Sequence, residues 1–311
     1  MDILRTVDAM QSYADAARAD GDRIALVPTM GALHEGHLSL VSIAGEQADR
    51  VVVSIFVNPT QFGPEEDFDE YPRELEQDAA KLRELGVDAV FAPTGEEMYP
   101  FSTNTQRANP LAWVTVDDLD ETLCGRYRDG HFRGVTTVVT KLFHACKPHV
   151  AIFGQKDAQQ LAILRRMTDE LLFDVEIVAG PIVREEDGLA MSSRNAYLSA
   201  EHRSQATVLF DAISAAESAI LRGEQEATPI VRAMQNELGK SSAADVQYAE
   251  VVDADTLTPV ETLDPGQDVL AAVAVFFGDT RLIDNALVSV PTDTDRRPQM
   301  ADDTADVAPP K

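Results

Sequence analysis

Short apolar runs alternate with amphipathic stretches along the chain as far as residue 178. The runs over 24–27, 51–57, 87–92, 150–153 and 175–178 are rich in branched side chains, which is typical of strands buried on both faces. Helical periodicity fills the intervals, most clearly over 73–85 and 132–146. This alternation predicts an α/β fold in which helices cover both faces of a parallel sheet.

The pattern changes after Pro181. A polar loop over 185–195 leads into helical patterns over 208–216 and 229–238, and strand patterns follow at 246–252 and 269–277. We therefore expect a parallel-sheet domain over residues 1–182 and a smaller α+β domain over residues 183–290. Residues 291–311 are rich in Asp, Thr and Pro with almost no large apolar residue, so we expect an acidic, disordered tail.

Composition narrows the classes of protein. The chain of 311 residues is 44% hydrophobic, enough for a substantial core, and it has no run of about 18 apolar residues that would predict a membrane span. The N-terminus lacks a basic segment followed by an apolar one, so we predict no secretory signal. Cys124 and Cys146 have no neighbouring thiol in the sequence, and a cytoplasmic protein with reduced thiols is the simplest expectation.

The charge of the chain constrains its ligands. It has 53 acidic and 26 basic residues, and its formal net charge of -27 disfavours binding to nucleic acids or anionic membranes. The same field repels a phosphate ligand, so any phosphate site must gather its positive groups locally. The simplest explanation of the charge is a highly solvated surface adapted to high salt, where screening shortens the repulsion.

The junction between the first apolar run and the next helical pattern has a suggestive pair of histidines. His34 and His37 lie three residues apart, on one face of a helix near its N-terminus. Free backbone N–H groups and the helix dipole favour an anion there, and Gly36 lets a ligand approach the backbone. We therefore predict a nucleotide-phosphate site. Surface histidines or two metal ligands are the alternatives, although no further ligands of matching type are obvious.

Three more polar clusters follow apolar runs or lie in the polar loop. Because ligands bind at the carboxyl ends of parallel strands, we expect these clusters to share one crevice with the histidines. Taken singly, they could be solvated amides, a surface lysine, or a turn with a helix cap. The clusters are Asn58 with Gln61; Gly154 with Lys156, Asp157 and Gln160; and Ser192 with Ser193 and Arg194. Asp78, in the helical pattern over 73–85, is a candidate Mg²⁺ ligand or otherwise a solvated helix residue.

Six segments, in order, resemble the pantoate–β-alanine ligase (pantothenate synthetase) family. They are Pro28–Leu40, Phe56–Gly63, Tyr71–Arg73, His131–Phe143, Phe153–Leu161 and Arg184–Leu198, and the resemblance extends over residues 1–290. His34-Glu35-Gly36-His37 alone would indicate only the wider nucleotidylyltransferase superfamily, which includes class I aminoacyl-tRNA synthetases. Met191-Ser192-Ser193-Arg194 looks like a variant of the Lys-Met-Ser-Lys-Ser loop of that superfamily.

The resemblance implies a Rossmann-like N-terminal domain, a smaller C-terminal lid domain and a homodimer. It also implies a reaction in which the carboxylate of pantoate attacks the α-phosphorus of Mg-ATP, giving pantoyl adenylate and pyrophosphate. The amine of β-alanine then attacks the acyl carbon, giving pantothenate and AMP. Because a carboxylate is already nucleophilic at neutral pH, the work of such a protein is positioning and charge stabilisation.

Residue roles are implied by the matched positions. The resemblance makes His34 and His37 phosphate contacts, with His37 nearest the α-phosphate, and makes Lys156 the cation that stabilises the phosphates during adenylation. Gln61 and Gln160 would hold pantoate, with Met30 at its apolar side and Asn58 at a contact to pantoate or β-alanine. The remaining implied ATP-site residues are Gly154, Asp157, Val183, Met191, Ser192, Ser193 and Arg194. We keep Asp78 as the candidate ligand of Mg²⁺.

The chain departs from the family pattern at Asp129, where many relatives have proline, and in its acidic tail. Two other classes of function stay open. A nucleotidylyltransferase that adenylates a different small acceptor needs the paired histidines but gives no reason for Gln61 and Gln160. A non-enzymatic nucleotide-binding or regulatory protein predicts ATP binding without release of pyrophosphate.

Overall fold

The computed structural model describes residues 1–63, 66–102 and 108–292. Except for Pro291 and Thr292, the tail predicted over 291–311 lies outside the described residues. Within the described ranges, no helix combines the length and the apolar character needed to cross a membrane.

Six parallel strands form the larger sheet, in the spatial order β1-β4-β3-β2-β5-β6. From β2 the chain builds outward to β3 and β4, whereas β5 and β6 are added on the other side of β2. The direction therefore reverses between β2 and β5, and ligands bind at the carboxyl ends of such a strand pair. The strands are β1 (Asp2–Leu4), β2 (Ile24–Thr29), β3 (Arg50–Ile55), β4 (Ala89–Phe91), β5 (Val150–Gly154) and β6 (Glu176–Gly180).

Helices cover both faces of this sheet, because successive side chains of a strand point to opposite faces. Val52 packs in a core with α1, α5 and α6, whereas Val51 and Val53 pack in a second core with α2 and α3. The predicted α/β class is confirmed. The helices are α1 (Val7–Ala19), α2 (Glu35–Gln47), α3 (Leu75–Glu84), α4 (Gly95–Met98), α5 (His131–Cys146) and α6 (Ala158–Glu170).

A smaller antiparallel sheet follows, with its strands in the order β7-β8-β9. One face of β8 packs on helices α8 and α9. On the other face, Leu270 and Ala272 pack against Leu123 and Ile163 of the larger unit, so the two units share an apolar core. The elements are α7 (Ala200–Gln205), α8 (Val208–Leu221), α9 (Ala227–Leu238), β7 (Ala244–Asp253), β8 (Asp268–Phe277) and β9 (Thr280–Ser289).

Several predicted boundaries need correction. Strand β1 (Asp2–Leu4) was not among the predicted strands, and α1 follows it from Val7, where the Thr6 hydroxyl accepts a hydrogen bond from Ala9 N–H. The strand predicted over 51–57 ends at Ile55. Strand β9 was not predicted, because Asp284 and Asn285 interrupt its apolar pattern, although both are buried. The domain boundary between residues 182 and 183 stays a prediction.

Candidate active site

The loop between β2 and α2 is held in place by a buried carboxylate. Asp78 accepts hydrogen bonds from the backbone N–H groups of Ala32 (2.9 Å) and Leu33 (2.8 Å), one on each carboxylate oxygen. Ala32 and Gly31 have left-handed backbone conformations, which this bonding stabilises. Asp78 lines a cavity different from the one that contains the histidines. These contacts give Asp78 a structural role, and its role as a ligand of Mg²⁺ stays a prediction.

His34 and His37 cap the N-terminus of α2 reciprocally. His34 Nδ1 accepts a hydrogen bond from Gly36 N–H (3.2 Å), and His37 Nδ1 accepts one from His34 N–H (3.4 Å). The ring centroids lie 4.1 Å apart. A Cβ at position 36 would lie 2.9 Å from His34 Cε1, so this arrangement requires glycine. Because each Nδ1 is an acceptor, we assign the proton of each neutral ring to Nε2.

Burial keeps both imidazoles neutral near pH 7. It lowers the pKa of His34 to about 4, and the charge of Lys156 adds to the shift. It lowers the pKa of His37 to about 3, with further lowering from His34 and Lys156. The histidine corner, formed by His34, Gly36 and His37, therefore presents two uncharged N–H donors at a helix N-terminus, where the dipole also favours an anion.

A cavity of about 230 Å³ opens at the carboxyl ends of β2 and β5. This is the crevice expected where the strand order of a parallel sheet reverses. The cavity brings together all of the predicted site residues except Asp78. They are Met30, His34, His37, Asn58, Gln61, Gly154, Lys156, Asp157, Gln160, Val183, Met191, Ser192, Ser193 and Arg194.

Amides and apolar side chains form one part of the cavity wall. Gln61 Nε2 points at Met30 Sδ (3.1 Å), and its Oε1 accepts a hydrogen bond from Asn58 Nδ2 (3.0 Å). Asn58 is only 1% exposed, and its Oδ1 accepts hydrogen bonds from the hydroxyls of Tyr99 (2.7 Å) and Thr60 (3.0 Å). Asn58 thus orients Gln61, and the weak sulfur partner leaves the Gln61 amide available to a polar ligand.

Cationic side chains form another part of the wall. Lys156 is 22% exposed, and its Nζ lies 3.8 Å from the carboxylate of Asp157. Arg194 binds Asp67 through Nε (3.2 Å) and Nη2 (2.9 Å). Ser192 Oγ accepts a hydrogen bond from Arg194 N–H (3.3 Å). This cationic side, formed by Lys156 and Arg194, supplies the local positive charge that a phosphate ligand needs in so acidic a chain.

A buried network behind Gln61 was assigned no role from the sequence. His131 donates from Nδ1–H to the Gln61 carbonyl (2.7 Å) and accepts at Nε2 from Arg128 (3.0 Å). Burial, followed by the charge of Arg128, lowers the pKa of His131 to about 3. Arg128 also binds Glu66 through two nitrogens, both at 2.7 Å. Burial raises the pKa of Glu66, but the hydrogen bonds and charge of Arg128 outweigh it and hold that pKa at about 2.

The described ranges contain no group of three or more His, Cys, Asp or Glu side chains arranged to hold a metal ion. The carboxylates nearest the cationic side, Asp67 and Asp157, face Arg194 and Lys156. Mg²⁺ commonly binds the phosphates of a substrate and keeps several waters. A cavity whose carboxylates are paired with cations suits a divalent ion that enters already bound to the phosphates of a ligand.

Comparison with known proteins identifies related sequences. The chain matches the family model of pantoate-beta-alanine ligase over residues 2–287. The pantothenate synthetase of Salinibacter ruber is 67% identical over 291 residues, which cover 94% of this chain and 99% of that protein. The pantothenate synthetase of Thermotoga neapolitana is 51% identical over 288 residues, covering 93% of this chain and 100% of that protein.

Solved structures agree with the sequence matches. The crystal structure of pantothenate synthetase from Thermus thermophilus superposes with a TM-score of 0.84 at 42% identity, covering 94% of this chain and 100% of that chain. The pantoate-beta-alanine ligase of Francisella tularensis, complexed with beta-gamma ATP and beta-alanine, gives a TM-score of 0.72 at 31% identity, covering 92% and 97% of the two chains.

Proposed function

This chain belongs to the pantoate–β-alanine ligase family and is an AMP-forming ligase, and we propose that the cavity at the ends of β2 and β5 is where it joins its substrates. ATP, pantoate and β-alanine become pantothenate, AMP and pyrophosphate through pantoyl adenylate. One observation carries the proposal: a single cavity combines uncharged and cationic phosphate-binding groups with paired amides and an apolar wall.

The phosphates of ATP bind at the histidine corner and the cationic side. The Nε2–H groups of His34 and His37 donate to the α-phosphate, and Lys156 adds a positive charge. Ser192, Ser193 and Arg194 hold the β- and γ-phosphates, while Gly154, Asp157, Val183 and Met191 contact the rest of the nucleotide. The support for these roles is that the side chains line one cavity and that its donors match phosphate oxygens.

Pantoate binds beside the α-phosphate. The amides of Gln61 and Gln160 hold its hydroxyl and carboxylate oxygens. Its two methyl groups pack on the apolar wall that Val138, Val139 and Leu142 form with Met30. Asn58 acts through Gln61, because its own polar atoms are bonded inside the protein.

Adenylation is a displacement at phosphorus. A carboxylate oxygen of pantoate forms a bond to the α-phosphorus while the bond to the bridging oxygen of pyrophosphate breaks, and pyrophosphate leaves with that electron pair. Neither histidine acts as a base, because each Nδ1 lone pair accepts a backbone hydrogen bond and each Nε2 bears a proton. His34, His37 and Lys156 instead stabilise the negative charge that shifts onto the phosphate oxygens.

Amide formation completes the reaction. The uncharged amine of β-alanine attacks the acyl carbon of pantoyl adenylate, and the C–O bond to phosphate breaks. AMP leaves with the bonding electrons, and the amine loses a proton as the C–N bond of pantothenate forms. The groups that bound the α-phosphate during adenylation now stabilise AMP as a leaving group.

The remaining assignments belong to the same proposal. Magnesium enters as part of Mg-ATP, consistent with the absence of a carboxylate cluster among the described residues. Residues 183–290 form a lid domain that covers the cavity. We also propose a homodimer that works in the cytoplasm.

A product assay tests the function. Pure protein incubated with ATP, Mg²⁺, pantoate and β-alanine should yield AMP, pyrophosphate and pantothenate in equal amounts. Production of ADP would refute the proposal. Omission of β-alanine should stop turnover after one round of pyrophosphate release; continued turnover would instead favour a nucleotidylyltransferase with another acceptor.

A further inference from the structure

Asn285, on strand β9 of the smaller unit, contacts the turn that carries Lys156. Its side chain is buried, and Nδ2 donates hydrogen bonds to the carbonyls of Lys156 (2.8 Å) and Gln155 (3.1 Å). Its Oδ1 accepts a longer hydrogen bond from Gln155 Nε2 (3.4 Å). Both ends of the amide are therefore used on the single turn Gln155–Asp157.

The preceding residue, Asp284, holds Asn285 in its place. Asn285 N–H donates to Asp284 Oδ1 (2.8 Å), and Arg184 binds the Asp284 carboxylate through two nitrogens, at 2.6 and 3.0 Å. Arg184 also donates to the carbonyl of Gly188 (3.0 Å), in the hairpin that precedes Met191. Two adjacent residues of β9 thus contact both cavity segments that contain cations. Asn285 bonds the turn that carries Lys156, and Asp284 binds Arg184 in the hairpin before Met191.

We propose that Asn285 is a positioning residue for adenylation, which acts by fixing the backbone from which Lys156 extends into the cavity. The inference rests on the proposed function, because Lys156 must act on the transferring phosphate. A lysine side chain is long and flexible, and its nearest carboxylate is 3.8 Å away, too far to fix its direction. The anchored carbonyls of Gln155 and Lys156 supply that restraint.

Asn285→Asp tests the role with little change in size. A carboxylate cannot donate to two carbonyls and repels them, so the turn should shift. We expect kcat for pyrophosphate release to fall about 10- to 100-fold, because a displacement of about 1 Å can cost that much. The KM for ATP should change much less, since the other phosphate contacts remain. Asn236→Asp is the matched control, because it makes the same change on an exposed position of α9 and should behave as wild type.

A double-mutant cycle separates positioning from a general structural role. In a Lys156→Ala background, Asn285→Asp should have no further effect on adenylation, because the side chain that it positions is gone. An equal fractional loss in both backgrounds would overturn the inference, and so would a wild-type kcat in Asn285→Asp. If that variant does not fold, Asn285→Ser gives the same cycle without the added charge. A wild-type protein that releases no pyrophosphate would refute the proposed function itself.

Discussion

The histidine corner and the cationic side of the cavity are built to contact the same kind of ligand, but in opposite ways. The corner is local and uncharged: His34 and His37 lie in one helical turn and are oriented by its own backbone N–H groups. The cationic side is charged and assembled from distant segments. Arg194, for example, is held by Asp67, which lies 127 residues away in the sequence.

The difference follows from the charge of the chain. In a protein of net charge -27, exposed cations attract carboxylates, and the cationic side has such a partner for each of its two charges. A phosphate ligand must compete with those carboxylates. Neutral imidazoles attract no counterion. No ion pair has to break before their N–H groups can bind the ligand, so these donors are preorganised. The corner should therefore respond little to salt or to pH near 7, whereas binding at the cationic side should weaken as salt is added.

Loss of Lys156 should have the largest effect. Lys156→Ala removes a charge that acts on the transferring phosphate, and adenylation should slow by about 10² to 10³-fold, or roughly 2.7–4 kcal/mol. Single-turnover release of pyrophosphate measures this step. Lys240→Ala, at an exposed position in the smaller unit, is the control and should leave the rate unchanged. A wild-type rate in Lys156→Ala would remove Lys156 from the mechanism of adenylation.

His37→Ala should follow, with adenylation slower by about 10²-fold because one preorganised donor is lost. Since burial lowers the pKa of His37 to about 3, the ratio of wild-type to variant rates should stay constant between about pH 6 and pH 8. His144→Ala, on the exposed side of α5, is the control. A ratio that changes through the ordinary titration range of histidine would mean that the corner acts as imidazolium.

The sequence predicts well the features that depend on neighbouring residues. The apolar runs identify five of the six strands of the parallel sheet, because these strands are buried on both faces, and they miss only the short strand β1. The site formed by His34, Gly36 and His37 can also be predicted from neighbouring residues, because their spacing places them together at one helix end. The convergence of clusters after β2, β3 and β5 follows from the parallel topology, since the carboxyl ends of the strands share one edge.

Features that depend on tertiary packing could not be predicted in this way. Asp78 lies in a helical pattern that suits a solvated residue, yet it bonds a loop 45 residues away. His131 bonds Gln61 across 70 residues, and Asn285 bonds Lys156 across 129 residues. Strand β9 was missed because Asp284 and Asn285 interrupt its apolar pattern. Both side chains are buried and bonded to partners that are distant in the sequence, so no local pattern predicts them.

A smaller effect is expected on stability, through His131. Burial and Arg128 lower its pKa from 6.5 to about 3, so between these values the unfolded chain binds a proton that the folded protein does not. The free energy of unfolding should therefore decrease as the pH falls below about 6.5, by at most about 1.4 kcal/mol per pH unit from this group.

Urea denaturation of wild type and His131→Asn at a series of pH values isolates that contribution. Asparagine does not titrate. The unfolding free energy of His131→Asn should therefore depend less steeply on pH than that of wild type, and the difference is the contribution of His131. His144→Asn makes the same substitution at an exposed position of α5 and serves as the matched control. Identical slopes for wild type and His131→Asn would show that His131 binds protons equally in the folded and unfolded protein, and would contradict the lowered pKa.

Asp67→Asn should have the smallest effect, and it tests the competition on the cationic side directly. Asparagine can still accept from Arg194 but no longer neutralises it, so ATP should bind about 2- to 5-fold more tightly at low ionic strength. Added salt should reduce the gain, because it screens the charges that differ between the two proteins. Titration calorimetry at two salt concentrations measures both effects.

Asp22→Asn removes the same charge from an ion pair with Arg50, near the opposite ends of the strands, and should leave ATP binding unchanged. Weaker binding in Asp67→Asn would mean that Asp67 orients Arg194 for the phosphates rather than competing with them, and both sides of the cavity would then be preorganised.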